Sequence, residues 1–250
     1  MQYFDTISTK YDQVRGREIQ DEVLQRVGDL AGAGELVVDV ATGTGLFSVP
    51  LAQAGHQVLG LDVNPHMLRV AQKKALRLGA PFRGLQSKAE RLPLPENSIS
   101  VMLSTNAIHH FHLRRHFREV QRVLKPGGHY VIFTRFKKQN QRSIWGQLFP
   151  GFAKKETRLF TPEDFERMDA EFEQLTLEHS DELSFIKHFD PQIILNTAVQ
   201  RKYSTFAMYS EPEFQKALDV FRQRIAGYEA GQYRAEIGCL VFQHIKAKIA

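Results

Sequence analysis

Two carboxylates set around a glycine turn are the residues of this 250-residue chain with the clearest chemical potential. Asp39 opens the fragment Asp39-Val40-Ala41-Thr42-Gly43-Thr44-Gly45, and Asp62 closes the run Gln57-Val58-Leu59-Gly60-Leu61-Asp62. Glycines directly after a strand usually cradle a phosphate at the positive end of a helix. A carboxylate at position 39 opposes that use, because at low dielectric it repels a pyrophosphate.

A ligand with cationic groups on a nucleoside reverses the preference. S-adenosylmethionine (SAM) carries an α-ammonium and a sulfonium and no phosphate, so it suits Asp39 better than NAD does. Asp62 can accept hydrogen bonds from both hydroxyls of a ribose, each worth about 1.5–3 kcal/mol. SAM and NAD share that need. Ser48 stands where the dinucleotide fingerprint has its third glycine, which further disfavours an NAD-dependent oxidoreductase.

The elements that must position these acids follow from periodicity. Ile19, Val23, Leu24, Val27 and Leu30 share one helical face. Short β-rich runs at 36–40, 57–62, 81–86, 98–105 and 129–136 then alternate with helical stretches at 46–54, 65–78 and 113–124. Alternation of this kind predicts an α/β, doubly wound, mostly parallel sheet. Pro126-Gly127-Gly128 reads as the stop after the third of those helices, ahead of the fifth strand. Beyond Phe136 the rhythm is lost until Thr161, which caps a helix with Pro162 at its first position and Asp164 as its third-position acid. A sixth strand is expected within 171–180, a helix over 211–228 and a final strand over 233–247.

Four fragments, DVATGTG, LGLDVNPHML, AERLPLPENSISVMLSTNAIHHF and LKPGG, occur in the order seen in class I SAM-dependent methyltransferases. The chain resembles in particular the ubiquinone/menaquinone biosynthesis (type 11) group. That resemblance implies a seven-stranded Rossmann-like sheet with an N-terminal helical cap (1–30), a SAM-binding core (31–136), and a lid insertion with the C-terminal completion of the same domain (137–250). It also implies that Asp39, Gly43 and Gly45 line the methionine end of SAM, Asp62 and Val63 hold the ribose, Ala89 lies by the adenine and Asn106 faces the cofactor. Tyr11, with Arg15, would close over it. Two positions depart from the pattern: Ala41 replaces the first motif glycine, and Lys88 replaces the acid that usually meets the adenine amino group, leaving Ser87, Glu90 or a backbone carbonyl to accept that hydrogen bond.

His110, and less directly His109, stand where the fourth strand ends, the edge at which open α/β sheets bind ligands, so His110 is the candidate catalytic residue for taking a proton from an acceptor. In the segment after Phe136, Trp145, Phe149 and Phe152 are candidate walls of the acceptor pocket, against the plain alternative of a hydrophobic latch.

Composition narrows the partners. With 42% hydrophobic and 24% charged residues the chain can fold, and its net charge of +5 is spread along the sequence rather than massed in one tail. The basic helices alternate charge with apolar stripes, so solvated faces are expected there and nucleic acid is disfavoured as partner. The single cysteine, Cys239, excludes an internal disulfide and a thiolate-rich zinc site, and fits a cytoplasmic protein with no membrane segment and no metal. The expected activity is methyl transfer from SAM to a small-molecule acceptor. The alternatives are an RNA or other nucleic-acid methyltransferase, for which neither an Asn/Asp-Pro-Pro-aromatic segment nor a Pro-Cys pair is found, and a non-catalytic SAM-binding regulatory module.

Overall fold

The computed structural model describes residues 19–32 and 34–245. Seven strands, β1 Leu36–Val40, β2 Gln57–Asp62, β3 Phe82–Gln86, β4 Ile99–Thr105, β5 Leu124–Thr134, β6 Leu175–Phe189 and β7 Gly231–His244, form one sheet in the order 3-2-1-4-5-7-6. The first five pair in parallel, and β7 runs antiparallel between β5 and β6. The mostly parallel Rossmann-like sheet expected from the sequence is therefore present.

Ten α-helices are described: α1 Gln20–Leu30, α2 Ser48–Gln53, α3 Pro65–Leu78, α4 Leu113–Val123, α5 Lys137–Arg142, α6 Ile144–Leu148, α7 Phe152–Lys155, α8 Pro162–Glu171, α9 Pro191–Val199 and α10 Glu211–Ile225. Central strands buried on both faces read as apolar runs, and their alternate residues go to opposite layers. Val37, Val101 and Leu103 meet α1 to α3 through Val23, Val49 and Ala71, whereas Val38 and Met102 meet α4 and α8 through Phe117, Val120 and Phe165. Local chemistry sets the helix ends. Asn64 Oδ1 accepts the N–H groups of His66 and Met67 at the start of α3, Pro65 follows it, and Gly79 closes the helix at φ 63°. Thr161 and Asp164 form the expected capping box of α8, with the Thr161 N–H 2.7 Å from Asp164 Oδ2.

Several expectations change. The helix before Pro126 stops at Val123, and β5 begins at Leu124, so Pro126-Gly127-Gly128 is not a linker between helix and strand. Ile99 pairs with Leu124 and Val101 with His129, which makes the intervening residues a bulge. Strand β6 starts at Leu175 and runs to Phe189, because pairing with β7 along its length supplies the hydrogen bonds that its weakly apolar sequence does not advertise. The segment expected as a lid is three short helices. Trp145, Phe149 and Phe152 are each at most 2% exposed and pack together with Phe206, Phe214 and Phe221 in a third hydrophobic core, with Trp145 stacked on Phe221 at 5.7 Å. For Phe149 and Phe152 the expected place on a pocket wall gives way to a core whose partners come from α10 and the 3₁₀ turn Ser204–Met208, whereas Trp145, part of the same core, also borders a small cavity. The cap residues Tyr11 and Arg15 lie outside the described residues. Among the described residues no helix is long and apolar enough to cross a membrane, and no group of His, Cys, Asp and Glu could hold a metal ion.

Candidate functional site

A cavity of about 400 Å³ opens at the carboxyl ends of β1, β2 and β4. Its rim is built by loops that continue the sheet's hydrogen bonding beyond the strands. The Thr42 N–H donates to Leu61 O at 2.9 Å, the Ser87 N–H to Asp62 O at 2.9 Å and the Asn106 N–H to Phe133 O at 2.7 Å. Each loop is thereby fixed to the neighbouring strand, and the space between them is a crevice of the kind in which open α/β sheets bind ligands.

Six expected residues meet there: Gly43, Asp62, Val63, Ala89, Asn106 and His110 all line the cavity. Gly43 adopts φ 56°, and a Cβ added to it would meet nothing within 4 Å, so the turn leaves its backbone bare toward the space. Gly45, at φ 68°, serves packing instead, since a Cβ there would come within 2.9 Å of Val49 and 3.1 Å of Ala71. Ala41 also takes a left-handed conformation, φ 61°, at the position where the family pattern has glycine.

Asp62 is held at the floor by backbone: Oδ2 accepts the Gly43 N–H and Oδ1 the Asn64 N–H, both at 2.8 Å. Burial raises its pKa, and these two hydrogen bonds oppose that shift. Because Asn64 caps α3, Asp62 is not needed for capping. Each of its oxygens keeps acceptor capacity after the backbone bond.

Asp39 does not line the cavity. It is 2% exposed behind the turn, where Ser48 Oγ donates to its Oδ2 and Thr42 Oγ1 lies 2.5 Å from Ser48 Oγ. Its Oδ1 is buried with no hydrogen-bond partner. Burial pushes this carboxyl up to about 7, against the lowering effect of the Ser48 and Thr42 hydroxyls. A buried acceptor without a donor is costly, and a cationic group at the turn would relieve it.

On the opposite wall Lys88 is exposed beside Ala89. Neither neighbouring side chain is idle: the Ser87 hydroxyl sits 3.0 Å from Arg91 O within its own loop, and Glu90 Oε1 accepts the His112 N–H at 2.8 Å. His110 lies at the exposed rim, with Arg158 Nη1 3.4 Å from its Nδ1. His110 thus stands on the cavity rim at the carboxyl edge of the sheet, where the sequence placed the candidate catalytic residue.

The residue that sequence reasoning missed is His116, one of the positions on the apolar stripe of α4. It is fully buried, with Nδ1 2.8 Å from Ala89 O and Nε2 2.8 Å from Tyr130 Oη. Burial holds the imidazole down at about 4, so it is neutral: Nδ1–H donates to Ala89 and Nε2 accepts from Tyr130. The spacing of His116 with Phe117, Val120 and Val123 on one helical face was the available signal.

Comparison with known proteins agrees with this architecture. Residues 38–132 match the family of the methyltransferase domain. The chain is 28% identical over 196 residues to the uncharacterized methyltransferase YodH of Bacillus subtilis, a match covering 70% of this chain and 79% of YodH. It is 31% identical over 152 residues to the ubiquinone/menaquinone biosynthesis C-methyltransferase UbiE of Stutzerimonas stutzeri, covering 55% of this chain but only 58% of UbiE. Among solved structures, a candidate methyltransferase from an antibiotic biosynthesis pathway of Anabaena variabilis superposes with TM-score 0.69 at 21% identity, over 94% of this chain and all of that one. Geranyl diphosphate C-methyltransferase from Streptomyces coelicolor, solved with S-adenosyl-L-homocysteine, gives 0.57 at 16% identity, over 90% and 81% of the two chains. These structural likenesses carry the fold.

Proposed function

We propose that this chain, whose residues 38–132 are a methyltransferase domain, is a SAM-dependent methyltransferase acting on a small-molecule acceptor. The observation that carries the cofactor assignment is the buried Asp39 carboxyl, with one oxygen unpartnered, behind a glycine turn whose Gly43 N–H is held by Asp62. A pyrophosphate would hold Asp39 protonated and face the Asp62 carboxylate, whereas a ligand with a cationic amino acid end and a ribose gives both acids a partner. The cavity volume also falls within the usual range for ligand sites.

In this reading Asp62 accepts from the ribose hydroxyls on the lone pairs that Gly43 and Asn64 leave open. Gly43 lets the backbone approach the ligand, Val63 and Ala89 border the nucleoside, and Asn106 borders the reacting end. The chemistry supplied by SAM when bound is an electrophilic methyl carbon on a sulfonium, which an acceptor oxygen, nitrogen or carbon attacks in line while the bonding pair stays on sulfur and the acceptor loses its proton. What the chain must add is alignment and exclusion of water, and such positioning is worth on the order of 7–11 kcal/mol. His110 on the cavity rim is assigned to taking the proton that the acceptor loses.

Relatives named for quinone and isoprenoid substrates support a small molecule as the acceptor class. The buried Cys239, whose thiol burial pushes up to about 12, is inert, and the cytoplasm is the compartment we assign. Lys88 on the nucleoside wall favours a second reading, a SAM-binding module without turnover. Incubating the purified chain with methyl-labelled SAM and size-fractionated cell extract separates the readings. Label in the small-molecule fraction is expected; label only in nucleic acid, or SAM binding with no labelled product, overturns the proposal.

A further inference from the structure

A second cavity, of about 160 Å³, lies at the same edge of the sheet, beyond the end of β5 and against β6 and β7. Arg135, Arg142, Lys187 and Arg234 line it against a single carboxylate, Glu236. Glu236 is already engaged by Arg142, whose Nε lies 2.7 Å from Oε2, while Arg142 Nη2 reaches Glu182 at 2.8 Å. Arg234 Nη2 is 2.7 Å from Ser184 Oγ, a neutral partner. Four cationic side chains and one carboxylate thus stand in the lining, and guanidinium forks match the planar geometry of oxyanions.

An independent observation comes from Gln139, which is 1% exposed and also lines this cavity. Its Oε1 accepts the Phe136 N–H at 2.9 Å, which fixes the amide so that Nε2 is the other end. That Nε2 is buried and has no hydrogen-bond partner. A buried donor left unmade costs about 1–3 kcal/mol, so a group that only accepts belongs beside it.

We propose that this cavity binds an oxyanion, the carboxylate or phosphate of the methyl acceptor. Its role as part of the acceptor site rests on the methyl-transfer reading; its affinity for an oxyanion does not. The two cavities are joined through the sheet. Thr105 at the first pairs with Phe133, whose carbonyl takes the Asn106 N–H, and Arg135 of the second follows two residues later. An acceptor anchored by its anionic end over β5 would extend toward the end of β4, where Asn106 borders the SAM cavity. Trp145, Tyr203 and Tyr233 in the same lining offer aromatic surface for its body.

The test is calorimetric titration of the full chain, saturated with S-adenosylhomocysteine, with inorganic phosphate and with benzoate in separate experiments, against sodium chloride at matched ionic strength. Saturable binding of at least one anion is expected, and which one binds distinguishes a phosphate from a carboxylate acceptor. Gln139→Glu keeps the oxygen that accepts from Phe136 but replaces the donor with a negative charge. It should weaken the anion by at least about tenfold while leaving S-adenosylhomocysteine affinity within about twofold. Arg234→Gln, on an exposed side chain, should weaken the anion in the same direction and guards against a folding defect in the first variant. Absence of saturable binding by both anions, or wild-type anion affinity in both variants, overturns the proposal. A chain that fails to bind S-adenosylhomocysteine counts against the methyltransferase reading alone, since the anion titrations can be run on the free protein and judged by the same outcomes.

Discussion

His116 Nδ1 lies 2.8 Å from the carbonyl oxygen of Ala89, so the nucleoside wall of the larger cavity hangs on a histidine in the middle of helix α4. The other ring nitrogen meets Tyr130 on β5. Replacing the ring by Phe preserves volume but leaves the Tyr130 hydroxyl and the Ala89 carbonyl unpaired in a dry core. Each orphan costs about 1–3 kcal/mol, so His116→Phe should lose about 2–5 kcal/mol in chemical denaturation and also weaken SAM. Wild-type stability with unchanged SAM affinity would show that this contact positions nothing.

The pH dependence of stability is expected to be a contest between His116 and Asp39. His116 falls from the ordinary 6.5 to about 4 on folding, so the unfolded chain binds the proton first, and stability is lost as pH falls from about 6.5 to 4. Asp39 rises from 3.8 to about 7, so the folded chain holds the proton, and stability is lost as pH rises from about 4 to 7. The two slopes oppose each other. Asp39→Asn should unmask the His116 slope, with stability climbing from pH 4 to 6.5, and His116→Phe should unmask the Asp39 slope, with stability falling over the same range. Denaturation midpoints across pH check both signs.

Binding of SAM should release protons near pH 6. A cation brought to the glycine turn lowers the Asp39 pKa, so a carboxyl partly protonated in the free protein gives up its proton on binding. Calorimetry in buffers of different ionisation enthalpy measures the number directly, and a value of zero at pH 6 that Asp39→Asn does not change would remove Asp39 from the cationic end of the site.

Asp62→Ala should raise the Kd for SAM about ten- to a hundredfold, the equivalent of about 1.5–3 kcal/mol for charge-assisted contacts to the ribose. Because Asp62 also accepts the Gly43 N–H, slower global unfolding is not expected; a modest destabilisation is. Unchanged affinity in a folded variant would put the ribose elsewhere. On the facing wall, Lys88→Asp should tighten SAM, since it removes a cation and restores an acceptor near the expected adenine edge, and a looser complex would reverse that assignment.

Trp145→Ala should cost about 3–5 kcal/mol, the usual range for truncating a large aromatic residue in a core, because its ring is 2% exposed among Phe152, Phe206 and Phe221. Hydrogen exchange in α6 should then be slow without any ligand. Rapid exchange there, with a stability loss under about 1 kcal/mol, would return the segment to the role of a mobile lid.

Several parts of this protein were determined within short windows of sequence. The Asn64-Pro65 start and Gly79 end of α3, the Thr161 and Asp164 box and the glycine turn each satisfy backbone groups a few residues away, so their chemistry is written locally. The alternation of apolar runs and helical stripes was enough to give a parallel sheet, and with it the edge at which Gly43, Asp62, Ala89 and Asn106 meet. Only the tertiary structure decided what the buried faces touch. The stripe of α4 marked His116 as inward-facing, but its neutrality and its grip on Ala89 depend on Tyr130 and a loop from elsewhere in the chain. Asp39 passed from cavity wall to buried support, and Phe149 and Phe152 from pocket to core, because partners such as Phe206, Phe214 and Phe221 arrive from a distant turn and helix. The cationic cavity has the same origin: Arg135, Gln139, Lys187 and Arg234 are unremarkable in their own windows, and it takes the antiparallel pairing of β6 and β7 beside β5 to gather them around one space.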